Sequence, residues 1–237
     1  MCVKRALDVI LWLALSVISV GRVQAATSDS AMPIIFNAQE RSVATFISNS
    51  ATNAYLSRAW ISDDSDQAQS LAPFIAMPSL FRLWGGEQQV VRIIRTPGDL
   101  PEDRELLFYL HVMGTAIAGR DDEKPDMASK AERVAFIYRP QHLISGAGEA
   151  AKQLQWRLLD RVTASHVQVI NPSPYHVKLA GVWVAGDLVL TDGLLAPFSS
   201  LELPLARYIQ GPKAPIEFAV NDDHGLSSER LHVDAGF

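Results

Sequence analysis

Cysteine is nearly missing from this chain: Cys2 is the only one. It sits in the first residues, so the rest of the protein has no disulfide framework and no thiol chemistry. A membrane-spanning run is missing as well. The apolar run ILWLALSVISV at 10–20 falls short of the roughly 20 residues that a spanning helix needs. Basic charge is scarce, with 21 Lys and Arg against 26 Asp and Glu. That balance leaves no basic face to neutralise phosphates, so nucleic acid is not an expected partner. Catalytic signatures are absent too. No GxSxG, HExxH, GxxxxGK[ST] or GxGxxG occurs after the first 25 residues, and nothing argues for an enzyme. The histidines, His111, His142, His166, His176, His224 and His232, are scattered without the close spacing of a metal site. The acidic run Asp121-Asp122-Glu123 has no second ligand cluster near it in sequence and reads as a solvated loop.

What is present begins with a leader. Lys4 and Arg5 form a basic start, the 10–20 run follows, and Val23-Gln24-Ala25 has the small residues of a cleavage site. Residues 1–25 are therefore expected to be a secretory signal, with no membrane insertion after its removal. Cleavage would take away three basic residues and one acidic one, moving the net charge from −5 to −7. An exported chain without cysteine depends on its apolar core, and 48% apolar residues make one feasible.

Beyond the leader, short alternating stretches recur with turn signals about every ten residues, and no sustained helical period appears. SVATFISN (42–49), AYLSRAWI (54–61), FIAMPSLFRL (74–83), QQVVRIIR (88–95), LLFYLHV (106–112) and RVAFIYR (133–139) read as strands. After Pro140, HLISGAGEAAK (142–152) is small and polar, a hinge composition. Strands then resume with LQWRLLD, HVQVINPSPYHVKLAGVWV, DLVLTD, SLELPLA, IEFAVND and ERLHV. The expectation is an all-β protein of two immunoglobulin-like sandwiches, one over 26–141 and the other over 153–237, joined by a hinge at 142–152.

One strand raises a question. In ERVAFIYRP (132–140), Arg133, Ala135, Ile137 and Arg139 share one parity, while Val134, Phe136 and Tyr138 share the other. The strand ends in an arginine, and the middle of that arginine's face is a bare alanine.

The order of these motifs resembles the periplasmic chaperones of chaperone–usher pilus assembly. The resemblance rests on NAQERSVATFISNSATNAYLSRAWISD (37–63), APFIAMPSLFRLWGGEQQVVRI (72–93), LPEDRELLFYLHV (100–112), FIYRP (136–140), NPSPYHVKLAGV (171–182) and AVNDDHG (219–225). It runs over nearly all of the chain after the leader. It implies a periplasmic protein that holds pilus subunits by lending them a β-strand and passes them to an outer-membrane usher, without cofactor or ATP. It also implies that the YRP arginine pairs with the glutamate of DRE and an aspartate of the second half, here Arg139, Glu105 and Asp222.

The chain departs from that family at its client-binding positions. The two basic residues expected to hold a subunit's terminal carboxylate are replaced by Pro33 and Ala135. The lending strand reads PDMASKAE (125–132), which offers no alternation of bulky apolar side chains. Arg133, on the face of Ala135, is the remaining candidate anchor. Three readings follow: a divergent pilus-assembly chaperone; an accessory protein that no longer lends a strand and binds another assembly component; or an Ig-like adhesin or ligand-binding module. The last is disfavoured by LPEDRE and YRP.

Overall fold

The computed structural model describes residues 32–63, 72–117, 129–159 and 163–237. The leader, the Asp121–Glu123 run and residues 125–128 of the lending segment lie outside the described residues.

The first half contains β1 (Ile34–Asn37), β2 (Ser42–Ser48), β3 (Tyr55–Asp63), β4 (Phe74–Met77), β5 (Leu80–Leu83), β6 (Gln88–Arg95), β7 (Leu106–Ala116) and β8 (Ser129–Arg139). They form two layers, a five-stranded sheet in the order β1-β8-β7-β3-β5 and a three-stranded sheet in the order β2-β6-β4. The stretch 74–83, which reads as one strand, is divided: β4 pairs with β6 in one layer and β5 with β3 in the other. Pro78 lies at the division. A proline has no N–H to give a ladder, so the chain leaves one sheet there and joins the other.

Alternation places Phe36, Phe108, Leu110, Phe136 and Tyr138 inward against Phe74, Val91 and Ile93 of the other layer, all buried. Phe74 and Phe136 meet edge to face at 4.8 Å, and Phe36 meets Phe74 at 5.4 Å, the geometry that ring quadrupoles favour.

The second half contains β9 (Gln155–Leu159), β10 (Thr163–Ile170), β11 (Val177–Val184), β12 (Asp187–Leu190), β13 (Gly193–Leu195), β14 (Ser200–Gln210), β15 (Lys213–Asn221) and β16 (Leu231–Gly236). Its strands run in one sheet, in the order β12-β11-β15-β16-β9-β10-β14 with β13 on β11. Its β12-β11-β15-β16 part joins its β9-β10-β14 part through a single parallel register pair, Gly236 opposite Arg157. Trp156 and Phe218 pack at 5.1 Å in its core.

The segment between the halves is two 3-10 turns, Gln141–Leu143 and Ala147–Gln153. Leu143, Ala150 and Ala151 are buried in the core of the second half. A methyl on Gly146 would collide with the Tyr175 hydroxyl, so a larger residue there would require Tyr175 to shift. No helix among the described residues is long and apolar enough to cross a membrane.

Candidate functional site: an interdomain clamp and an open strand edge

β8 carries both parts of the site. Its last residue, Arg139, is buried, with its side chain 6% exposed, and points at the second half. Nε donates to Glu105 Oε1 at 2.5 Å, Nη1 to Asp223 Oδ2 at 2.5 Å and Nη2 to Asp223 Oδ1 at 2.9 Å. The planar fork of the guanidinium allows this simultaneous grip on two carboxylates. Glu105, whose side chain is 1% exposed, stands just before β7. Its second oxygen accepts from His176 N at 2.7 Å and lies 3.1 Å from His176 Nδ1. Its own N–H donates to Pro174 O at 2.9 Å. A charge so far from water needs partners on every side, and these come from both halves of the chain.

Burial by itself pulls the Arg139 guanidinium down. The hydrogen bonds to Asp223 and the charge of Glu105 outweigh it, and the group stands above its ordinary value, permanently cationic. Burial, then the charge of Glu105, raises the nearby Tyr175 phenol.

Asp222, expected as the third member, is not in this network. Its Oδ1 accepts from His224 N at 2.8 Å and Leu226 N at 2.9 Å, closing the turn after β15. The hydrogen bond from the Leu226 N–H, the largest cause, holds its carboxyl below the ordinary value. Strand alternation ends at Asn221, so parity cannot tell which of two neighbouring aspartates faces Arg139. The turn decides it, with Gly225 at φ 77°, and gives the position to Asp223. A cavity of about 220 Å³ between this turn and residues 147–151 accounts for Asp223 being 39% exposed. His176 also joins without having been singled out. The one available signal was its place in NPSPYH, directly after the turn that receives Glu105.

Further back along β8, β7 and β8 set Tyr109 opposite Ala135 and His111 opposite Arg133. The Arg133 guanidinium carbon lies over the Tyr109 ring, 3.5 Å from its centroid. The bare alanine now has a physical account. A small side chain opposite Tyr109 leaves the ring face to the neighbouring arginine, a cation–π contact. The positive charge of residue 133 is thereby carried to the Tyr109–Ala135 pair. Pro33 precedes β1, whose parallel register starts with Ile34 opposite Phe136, so Pro33 stands beside the position of Ala135. The same sheet face continues with Trp60 stacked on His111 at 5.0 Å, Ser62 Oγ 2.7 Å from His111 Nε2, and Arg58 over Trp60 at 5.3 Å. Sequence reading did not single out this row, although strand parity groups its members.

The second part of the site is an edge. β1 covers β8 only over Phe136–Arg139, while β7 pairs with it from Ser129 to Tyr138. Among the described residues, nothing pairs with 129–135 on the side away from β7. On the core-facing parity of that stretch, Lys130 Nζ meets Glu132 Oε1 at 2.6 Å. No three His, Cys, Asp or Glu side chains gather as metal ligands would, among the described residues.

Known proteins share this architecture. Residues 30–144 match the family model described as pili and flagellar-assembly chaperone, PapD N-terminal domain, and 149–231 match pili assembly chaperone PapD, C-terminal domain. The chaperone protein PmfD of Proteus mirabilis is 30% identical over 203 residues, covering 81% of this chain and 78% of PmfD. The crystal structure of the Pseudomonas aeruginosa CupB2 chaperone is similar at a TM-score of 0.69 and 30% identity, over 87% of this chain and 98% of that one. The SafB chaperone, solved in complex with the Salmonella enterica SafA pilin, gives a TM-score of 0.70 at 27% identity, over 86% and 93%. With both halves matched in order, and with the strand-end arginine clamped between them, the chain belongs to the PapD-type pilus assembly chaperones.

Proposed function

We propose that this protein works in the periplasm, binding and stabilising fimbrial subunits by β-strand addition and delivering them to an outer-membrane usher. The observation that carries this reading is the edge of β8 over 129–135, which no described strand covers on the side away from β7. An edge of this kind offers a row of unpaired backbone groups. A subunit with an incomplete sheet gains the missing hydrogen bonds by adding to it. In a conventional member two basic side chains hold the subunit's carboxylate. Here Arg133 takes that role from a neighbouring position, its cation held over Tyr109 beside Ala135. The clamp of Glu105, Arg139 and Asp223 sets the angle between the two sandwiches, so that an incoming chain meets a cleft of constant shape.

Co-expression with fimbrial subunits, affinity capture and hydrogen exchange tests this. A stoichiometric complex in which the amides of 129–135 become protected is the expected result, with capture weakened by Arg133→Ala. The reading fails if a subunit is held while 129–135 exchanges as in the free protein. The accessory-protein reading would then stand, and the Lys130–Glu132 pair, found where apolar side chains would fill a subunit groove, is the observation that favours it.

A further inference from the structure

We propose that the open stretch of β8 selects its partner by charge: it accepts an extended segment carrying an acid and a base two residues apart on one face. This rests on the strand-addition reading above and goes on to specify the chemistry of the strand that is added.

The argument starts from parity. Val134, Phe136 and Tyr138 face the first core. The next positions on the same face are Glu132 and Lys130, so the strand's inward side changes from apolar to ionic within two residues. The change falls beyond the reach of β1, which among the described residues pairs back only to Phe136. Lys130 and Glu132 bond each other at 2.6 Å with side chains 50% and 38% exposed. They stand over a small cavity at the open end of the sandwich, shared with Tyr55, Ser57, Val112 and Gly114.

Side chains directly opposite on paired strands lie about 5 Å apart. An apolar residue placed opposite Lys130 or Glu132 would strip water from a charge and return nothing. An acid opposite Lys130 and a base opposite Glu132 would instead turn the existing pair into a four-charge ladder. Like charges in those places repel. The positions therefore discriminate against a strand of alternating bulky apolar residues and in favour of one with complementary charge. Opposite Val134 the added strand returns to an apolar residue.

Three nine-residue peptides, identical except for Glu-x-Lys, Lys-x-Glu or Val-x-Val at the same two places, provide the test. They are titrated into the full chain and into the swapped variant Lys130→Glu/Glu132→Lys, which keeps its internal ion pair. Binding is read as protection of the 129–135 amides. One charged peptide should bind on the order of tenfold more tightly than the other charged peptide, which has the same composition. The swap should reverse that preference. The order of the favoured pair reports whether the added strand runs parallel or antiparallel. If Val-x-Val binds as well as the favoured charged peptide, or the swap leaves the order unchanged, selection by charge is overturned while strand addition stands. If no peptide protects 129–135, strand addition at this edge is overturned, and charge selection with it.

Discussion

The two ends of β8 carry the same kinds of side chain in opposite surroundings. At one end Arg139 is buried and held by Glu105 and Asp223. At the other, Lys130 and Glu132 are bonded to each other in partial solvent. The difference lies in desolvation. A charge removed from water depends wholly on its partners, and deleting one partner strands the other. An exposed pair trades protein contacts for water contacts almost evenly. The lesson is that ion pairs of similar length made from one strand have unlike energetic meaning: the buried one ties β8 to its neighbours, and the exposed one costs little to rearrange.

The largest effect that would test this contrast is expected from Arg139→Ala. It leaves Glu105 buried without its cation and should destabilise the fold by about 3 kcal/mol, read by denaturant melts that follow the two sandwiches separately. Arg139→Lys keeps the charge but loses the fork, so it should fall between wild type and alanine. Next comes the choice between neighbouring aspartates. Asp223→Asn should loosen the angle between the sandwiches, measured by small-angle scattering, whereas Asp222→Asn should leave the angle unchanged. Equal effects from the two would break the assignment of Asp223 to the clamp.

At the cleft, Arg133→Ala should weaken subunit capture. Ala135→Lys should not add to Arg133, because both cations would compete for the face of Tyr109. An additive gain on affinity measurement would mean that the two positions serve separate contacts. The smallest effect belongs to the open end, where Lys130→Ala should shift stability by about 0.5 kcal/mol or less. Acid sharpens the picture at Asp222. Its folded pKa lies below the ordinary 3.8, so its contribution to the turn is present above that value and fades as pH falls through the lower folded one. Asp222→Asn should flatten that part of an acid titration.

Much of this was legible in residue order. Period-two alternation marks most of the strands, and the inward set of Phe108, Phe136 and Tyr138 follows from parity, whereas β1 with Phe36 is too short to stand out. LPEDRE and YRP pointed to Glu105 and Arg139. What was not legible depends on geometry that parity does not carry. The division of 74–83 between two sheets hangs on one missing N–H at Pro78. The choice of Asp223 over Asp222 is made inside a turn, where alternation has no meaning. The reach of Arg133 toward Ala135 depends on a ring in another strand, and His176 enters through its backbone N–H as much as through its side chain.

One further consequence follows from the ladder between β7 and β8, which runs unbroken in register from Leu106 opposite Tyr138 to Thr115 opposite Ser129. A client attached along 129–135 and pulled in the direction of the strand would load these bonds together, in shear, with the Arg139 clamp as a stop at the far end. Pulled at right angles, it would part from the edge one bond at a time. A machine that removes the client by peeling therefore meets little resistance, while drag along the strand axis meets the whole sheet. The direction of force, rather than the strength of binding, would determine when the cargo is released.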